Sequence, residues 1–112
     1  ASILSNQVIA VLDMGYPLLE DCGFTRAEAV RATGQLVMRN IENVLEAGCD
    51  GALTGPIERN DIETVKKHIA CMQNDDSDDV SLYKMLGTKL ANIAEKKNPD
   101  KDYTQMMELL RG

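Results

Sequence analysis

Apolar residues recur along this chain at helical spacing, and no stretch alternates with the period of a strand. Ile3, Leu4, Val8, Ile9, Val11, Leu12, Leu18 and Leu19 cover most of the circumference of a helix over residues 2–22. Such a pattern is expected of a helix buried on several sides. Pro17 takes one amide out of the ladder and predicts a kink, and Gly23 predicts the end. A wet stripe of Glu28, Arg31, Gln35, Arg39, Glu42 and Glu46 then opposes a dry one of Val30, Val37, Ile41 and Val44. It predicts a second helix, opened by the capping box Thr25-x-x-Glu28 and closed by Gly48 at the left-handed C′ position. Gly34 on the dry side predicts a close helix contact.

The third helix starts at Asn60 or Asp61 as N-cap and runs to about residue 73, with Val65, Ile69 and Met72 inward. The fourth spans residues 79–97, with Leu82, Leu86, Leu90 and Ile93 inward, and Asn98-Pro99 breaks it. A last helix over residues 101–111 offers Tyr103, Met106, Met107 and Leu110. The expected fold is all-α, about five helices around one aliphatic core, in a single domain over residues 1–112.

Composition sharpens this picture. The chain has 112 residues, 44% of them apolar, with six Met, one Phe and no Trp, so the core has to be aliphatic. A net charge of −6 excludes a basic stripe for nucleic-acid backbones. Asn6, Gln7, Asp13, Gly15 and Pro17 make residues 3–19 a poor membrane span. Cys22, Cys49 and Cys71 are odd in number and form no Cys-x-x-Cys pair, which reads as free thiols in a cytoplasmic protein. The chain opens directly in helical sequence at Ala1 without an initiator Met, and is read as a fragment of a longer protein.

Candidate chemistry concentrates between the second and third helices. Gly51 and Gly55 permit positive φ, and Pro56 pushes Gly55 away from the helical region. Such a hinge either presents Thr54 and free amides to a ligand or merely turns the chain. Arg59 beside a helix N-terminus makes an anion-friendly corner, or pairs with Asp61 or Glu63. His68, the single histidine, shares a helix face with Asp61 and Thr64, but lies roughly 10 Å along the axis from Asp61 at 1.5 Å per residue. That excludes a direct dyad and leaves a packed, hydrogen-bonded imidazole as the plainer reading. The acidic run Asp75, Asp76, Asp78 and Asp79 fails as a calcium loop, because the sixth and twelfth positions hold Val80 and Leu86. No metal site, dinucleotide fingerprint, P-loop or nucleophile elbow is present.

Two stretches carry a family likeness. Ser5-Asn6 followed by an apolar helix, and Ala52-Leu-Thr-Gly-Pro-Ile57 with Arg59, Asp61, Thr64, Val65 and His68, resemble a C-terminal helical domain of unknown function. That domain follows a Rossmann-like NAD(P)-binding domain in a family of uncharacterised oxidoreductases. The likeness covers residues 1–73, and the remainder only by helical character. It implies a fold similar to the C-terminal domains of 6-phosphogluconate dehydrogenase, a homodimer made through long helices, and one wall of a cleft for a small anionic substrate. Asn6, Thr54, Gly55, Pro56, Arg59, Asp61 and His68 would line or shape that cleft. NAD or NADP would sit on the Rossmann-like domain of the parent protein, with no cofactor held by this fragment. The family's histidine shortly before the position of Ala1 is absent, and Asn60 replaces a glycine while tolerating the same left-handed backbone. A competing reading is a non-enzymatic helical module whose apolar first helix serves a protein partner.

Overall fold

The computed structural model describes residues 1–72 and 78–112. Five helices follow in order: α1 Ser2–Asp21, α2 Arg26–Ala52, α3 Ile62–Met72, α4 Asp79–Lys97 and α5 Thr104–Arg111. Among the described residues there is no strand, so the all-α expectation holds. The expected end of the third helix at Gln73 and the first two aspartates of the acidic run, Asp75 and Asp76, lie outside the described residues. The chain divides into two units, Ala1–Glu42 and Asn43–Gly112.

The first unit holds α1 and most of α2. The capping box forms as its sequence requires. The Glu28 amide donates to Thr25 Oγ1, and the Thr25 amide donates to Glu28 Oε1, each at 3.1 Å. Two of the orphan donors at the start of α2 are thereby satisfied. At the adjoining corner Arg26 reaches Glu20 at 2.6 Å, and its guanidinium lies 5.4 Å from the Tyr16 ring centroid.

Three expectations for this unit are corrected. The dry stripe of α2 is not covered, since Val30 and Ile41 are 44% and 51% exposed and Ala29 is the buried residue. α1 contributes no buried residue, and Ile3 and Leu4 are 74% and 75% exposed. Gly34 makes no close contact, since a Cβ there meets nothing within 4 Å. Circumferential apolarity says that a helix is suited to burial, not what covers it. α1 also runs on through Pro17 to Asp21.

The second unit holds the core. α3, α4 and α5 pack on one another, most closely α4 with α5. The cluster comprises Ile57 from the hinge, Val65 and Ile69 from α3, Ala91 and Ala94 from α4, Tyr103 just before α5, and Met106, Met107 and Leu110 from α5. The inward stripes expected for α3 and α5 are all buried. For α4 the expectation of Leu82, Leu86, Leu90 and Ile93 is corrected. Its fully buried residues are Gly87, Ala91 and Ala94, while the larger residues are only partly covered or exposed. Small side chains let the helix axes approach, and the bulk of α5 fills the space. The approach is close at Gly87, where a Cβ would come within 2.8 Å of Leu110 Cδ2.

At the end of α2 Gly48 takes φ 77° and ψ 174°, so the long helix breaks there, as its C′ placement predicted. One further turn carries the chain to Ala52. Gly51 lies within that helical turn without positive φ, which corrects the freedom expected of it.

Candidate functional site

The hinge over residues 53–60 is built from within and held from one side. Gly55 has φ 98° and Asn60 has φ 63°, two left-handed residues in the turns that join α2 to α3. Three turn bonds lock the path: Arg59 N to Gly55 O at 3.0 Å, Asn60 N to Ile57 O at 3.1 Å, and Asp61 N to Pro56 O at 2.8 Å. Ile57, 6% exposed, drops into the core as the apolar anchor.

A polar brace from the C-terminal part of the chain grips the same loop. Lys97 Nζ donates to the Leu53 carbonyl at 2.8 Å and stands 3.8 Å from the Glu58 carboxylate. The Tyr103 hydroxyl donates to the Glu58 carbonyl at 2.5 Å, and Asn98 Nδ2 donates to Glu58 Oε1 at 3.2 Å and to the Tyr103 oxygen at 3.1 Å. Asn60 Nδ2 donates to the Asp102 carbonyl at 2.7 Å. The Asn60 amide oxygen is the one buried side-chain polar atom without a partner among the described residues. Sequence reasoning gave Glu58 and Lys97 no role, and saw Asn98 only as a helix breaker and Tyr103 only as core. Asn98-Pro99 reads as a helix breaker, and nothing in its spacing points back over forty residues to the hinge.

The candidate residues are placed as follows. Thr54 is exposed, and Gly55 and Pro56 are half-buried turn residues. Arg59 is 59% exposed on its side chain and lies 3.8 Å from Asp61 Oδ2. Asp61 is the N-cap of α3: its carboxylate accepts from the Thr64 amide at 3.2 Å and from the Thr64 hydroxyl at 2.7 Å. His68 is exposed on α3, with Nδ1 3.1 Å from the Tyr83 hydroxyl of α4 and the two rings edge to face. Burial pushes the Tyr83 phenol above its ordinary value, which keeps it protonated. Asp61 and His68 thus have separate partners. Asn6 is exposed on α1, in the first unit, whereas the hinge and His68 belong to the second. Among the described residues one surface concavity runs along α4 and the end of α5, at Lys84, Met85 and Arg111.

The two hydrogen bonds from Thr64 hold the Asp61 carboxyl below its ordinary value, with Arg59 and Lys67 adding to the shift. A depressed folded-state value contributes stability that is present above the unfolded value near 4 and disappears as pH falls through the folded one. The advantage of the native chain over Asp61→Asn in urea unfolding should therefore shrink as pH is lowered from 6 towards 2.5 (about the span over which a carboxyl protonates). An advantage that stays constant over that range would show that the charge contributes nothing.

Among the described residues no group of three or more His, Cys, Asp or Glu is placed to hold a metal ion. No helix among them is long and apolar enough to cross a membrane. Cys22, Cys49 and Cys71 are free and exposed.

An all-α domain with a hinge of fixed shape, braced by its own C-terminal residues, is the class that this geometry defines. The model of the family described as "Domain of unknown function (DUF2520)" matches residues 1–90, and the chain belongs to that family. The match ends inside α4, so Lys97, Asn98 and Tyr103 lie beyond it. No curated protein and no solved structure matches the chain.

Proposed function

We propose that this domain forms the substrate-cleft wall and the dimerisation surface of an NAD(P)-dependent dehydrogenase-like protein, and has no catalytic activity alone. The observation that carries this reading is the alternation along the hinge. Leu53, Ile57, Glu58 and Asn60 are held from beneath, while Thr54 and Arg59 between them face outward. A loop fixed in this way presents its polar groups without losing entropy when a ligand arrives. Among the described residues the Arg59 guanidinium has one ion pair, long and exposed, with Asp61, and pairs of that kind contribute little. Asp61 is already served by Thr64, so the guanidinium fork remains open to a carboxylate or phosphate.

In this reading Arg59 takes the anionic group of a small substrate, Thr54 supplies a hydrogen bond, and Gly55, Pro56, Asp61 and His68 give the wall its shape. A Rossmann-like domain of the same cytoplasmic protein holds the NAD or NADP. In the intact protein, Arg59→Ala should raise KM about tenfold or more while changing kcat less, the loss expected for a charged hydrogen bond. An unchanged KM on a turned-over substrate removes the role.

The dimerisation part rests on exposed apolar residues of the long helices. Ile3, Leu4 and Ile9 of α1 and Leu36 and Met38 of α2 are between 61% and 75% exposed. Light scattering on the concentrated chain should give about twice its 12.3 kDa. A clean monomer would argue against it. The same surface supports a second reading, a helical interaction module without enzymatic context. It gains ground if the chain captures a different protein partner while the intact protein binds neither NAD nor NADP.

A further inference from the structure

We infer that Lys97, Asn98 and Tyr103 are positioning residues for the hinge, selecting the one backbone path that leaves Thr54 and Arg59 facing outward. The inference rests on the reading of the hinge as a ligand-binding loop and deepens it. Control of the loop's shape sits in the end of α4 and the entry to α5, outside the stretch that the family match covers.

The brace meets two carbonyls of this loop that take no part in its turn bonds. The turn bonds within the hinge employ the carbonyls of Gly55, Pro56 and Ile57. The Leu53 carbonyl receives Lys97 instead, and the Glu58 carbonyl receives the Tyr103 hydroxyl. The Glu58 carboxylate then ties the other two together, with Asn98 and Lys97 both directed at Oε1. Exposure separates this network from ordinary surface pairs. The Glu58 side chain is 15% exposed and Lys97 28%, and Tyr103 is 1% exposed, whereas Arg26 is 52% exposed in its pair with Glu20. Hydrogen bonds that are partly withdrawn from water polarise one another, and each lost member leaves its neighbour unsatisfied.

The brace therefore acts at Leu53 and Glu58, the residues immediately before Thr54 and Arg59. A rotation of either peptide would swing the following side chain. Asn60 adds a third grip, its amide held on the Asp102 carbonyl while its own φ is 63°. Left-handed backbone at a non-glycine residue costs free energy and persists only where the surroundings impose it. Without the brace the loop keeps Ile57 as its apolar anchor but loses the constraint on both sides of it.

The test compares the native chain with Lys97→Met, Asn98→Ala, Lys97→Arg and Arg59→Ala. Amide hydrogen exchange at Arg59, Asn60 and Asp61 should rise about tenfold or more in Lys97→Met and Asn98→Ala, with Val65 and Ile69 in α3 unchanged. Lys97→Arg, which keeps the cation and its donors, should restore protection. No change in the hinge, or an equal rise in α3, overturns the inference, because the residues would then supply only general stability.

Binding is read by titrating oxalate and inorganic phosphate separately against the Arg59 side-chain resonance. Affinity should fall at least about threefold in both brace variants, and Asn98→Ala excludes a simple loss of positive charge. If Arg59→Ala loses binding while Lys97→Met and Asn98→Ala bind as the native chain does, the positioning role is refuted and the ligand-loop reading survives. If the native chain binds neither anion, or Arg59→Ala binds as well as the native chain, the ligand-loop reading fails and the positioning role fails with it.

Discussion

Tyr103→Ala should be among the most damaging single changes in this chain, with an expected loss of roughly 3–5 kcal/mol, as for other large aromatic truncations in a core. The ring is 1% exposed and belongs to the cluster formed by α3, α4 and α5. Its hydroxyl bridges Asn98 and the Glu58 carbonyl. Truncation opens a cavity and releases the hinge together. Tyr103→Phe separates the two effects. It keeps the volume and removes the bridge, leaving the Glu58 carbonyl without that donor, at a cost of about 1–3 kcal/mol. Urea unfolding of the three proteins checks both values. The total stability of a domain of this size is about 5–15 kcal/mol, so the alanine variant should be visibly depleted of folded protein. If Tyr103→Phe were as stable as the native chain, the bridge would be an accident of packing.

Gly87→Val should give the second large loss, about 1–3 kcal/mol from overpacking at the α4–α5 contact. A first Cβ already falls 2.8 Å from Leu110 Cδ2 and 3.3 Å from Ile57 Cδ1. Leu110 can swing a terminal methyl away from a single carbon. The two further methyls of valine would have to displace Leu110 and the anchor of the hinge together. Gly34→Ala is the control, because nothing lies within 4 Å of its Cβ position. It should stabilise α2 by up to about 1 kcal/mol through helix propensity alone. Equal behaviour at the two glycines, followed by thermal unfolding, would remove the close-approach account of Gly87.

These two glycines mark where sequence reading succeeds and where it stops. Helix existence, type and most boundaries were legible, because caps and breakers act locally. Thr25 with Glu28, Gly48, Asp61 and Asn98-Pro99 each meet the backbone within a few residues of themselves. The inward stripes of α3 and α5 were legible for the same reason, since each short helix has one apolar side to bury. Within the candidate site the left-handed Gly55 followed from residue type, the left-handed Asn60 from the family likeness, and Asp61 was one of two candidate caps.

Which face meets which partner is not a local property. Gly34 and Gly87 look alike in sequence, yet only Gly87 has α5 across from it. The leucines of α4 outrank its alanines in hydrophobicity, but the close approach of α5 selected the small residues for full burial. The apolar circumference of α1 is a property of twenty consecutive residues, and no residue of it is buried. The brace on the hinge is the furthest from view, since Lys97 and Leu53 are brought together only when α4 has packed. Local chemistry along the chain determined the helices, their ends and the turns before α3. The tertiary structure alone decided which carbonyls of those turns are gripped and which side chains remain open, because long-range hydrogen bonds depend on distances that no local spacing encodes.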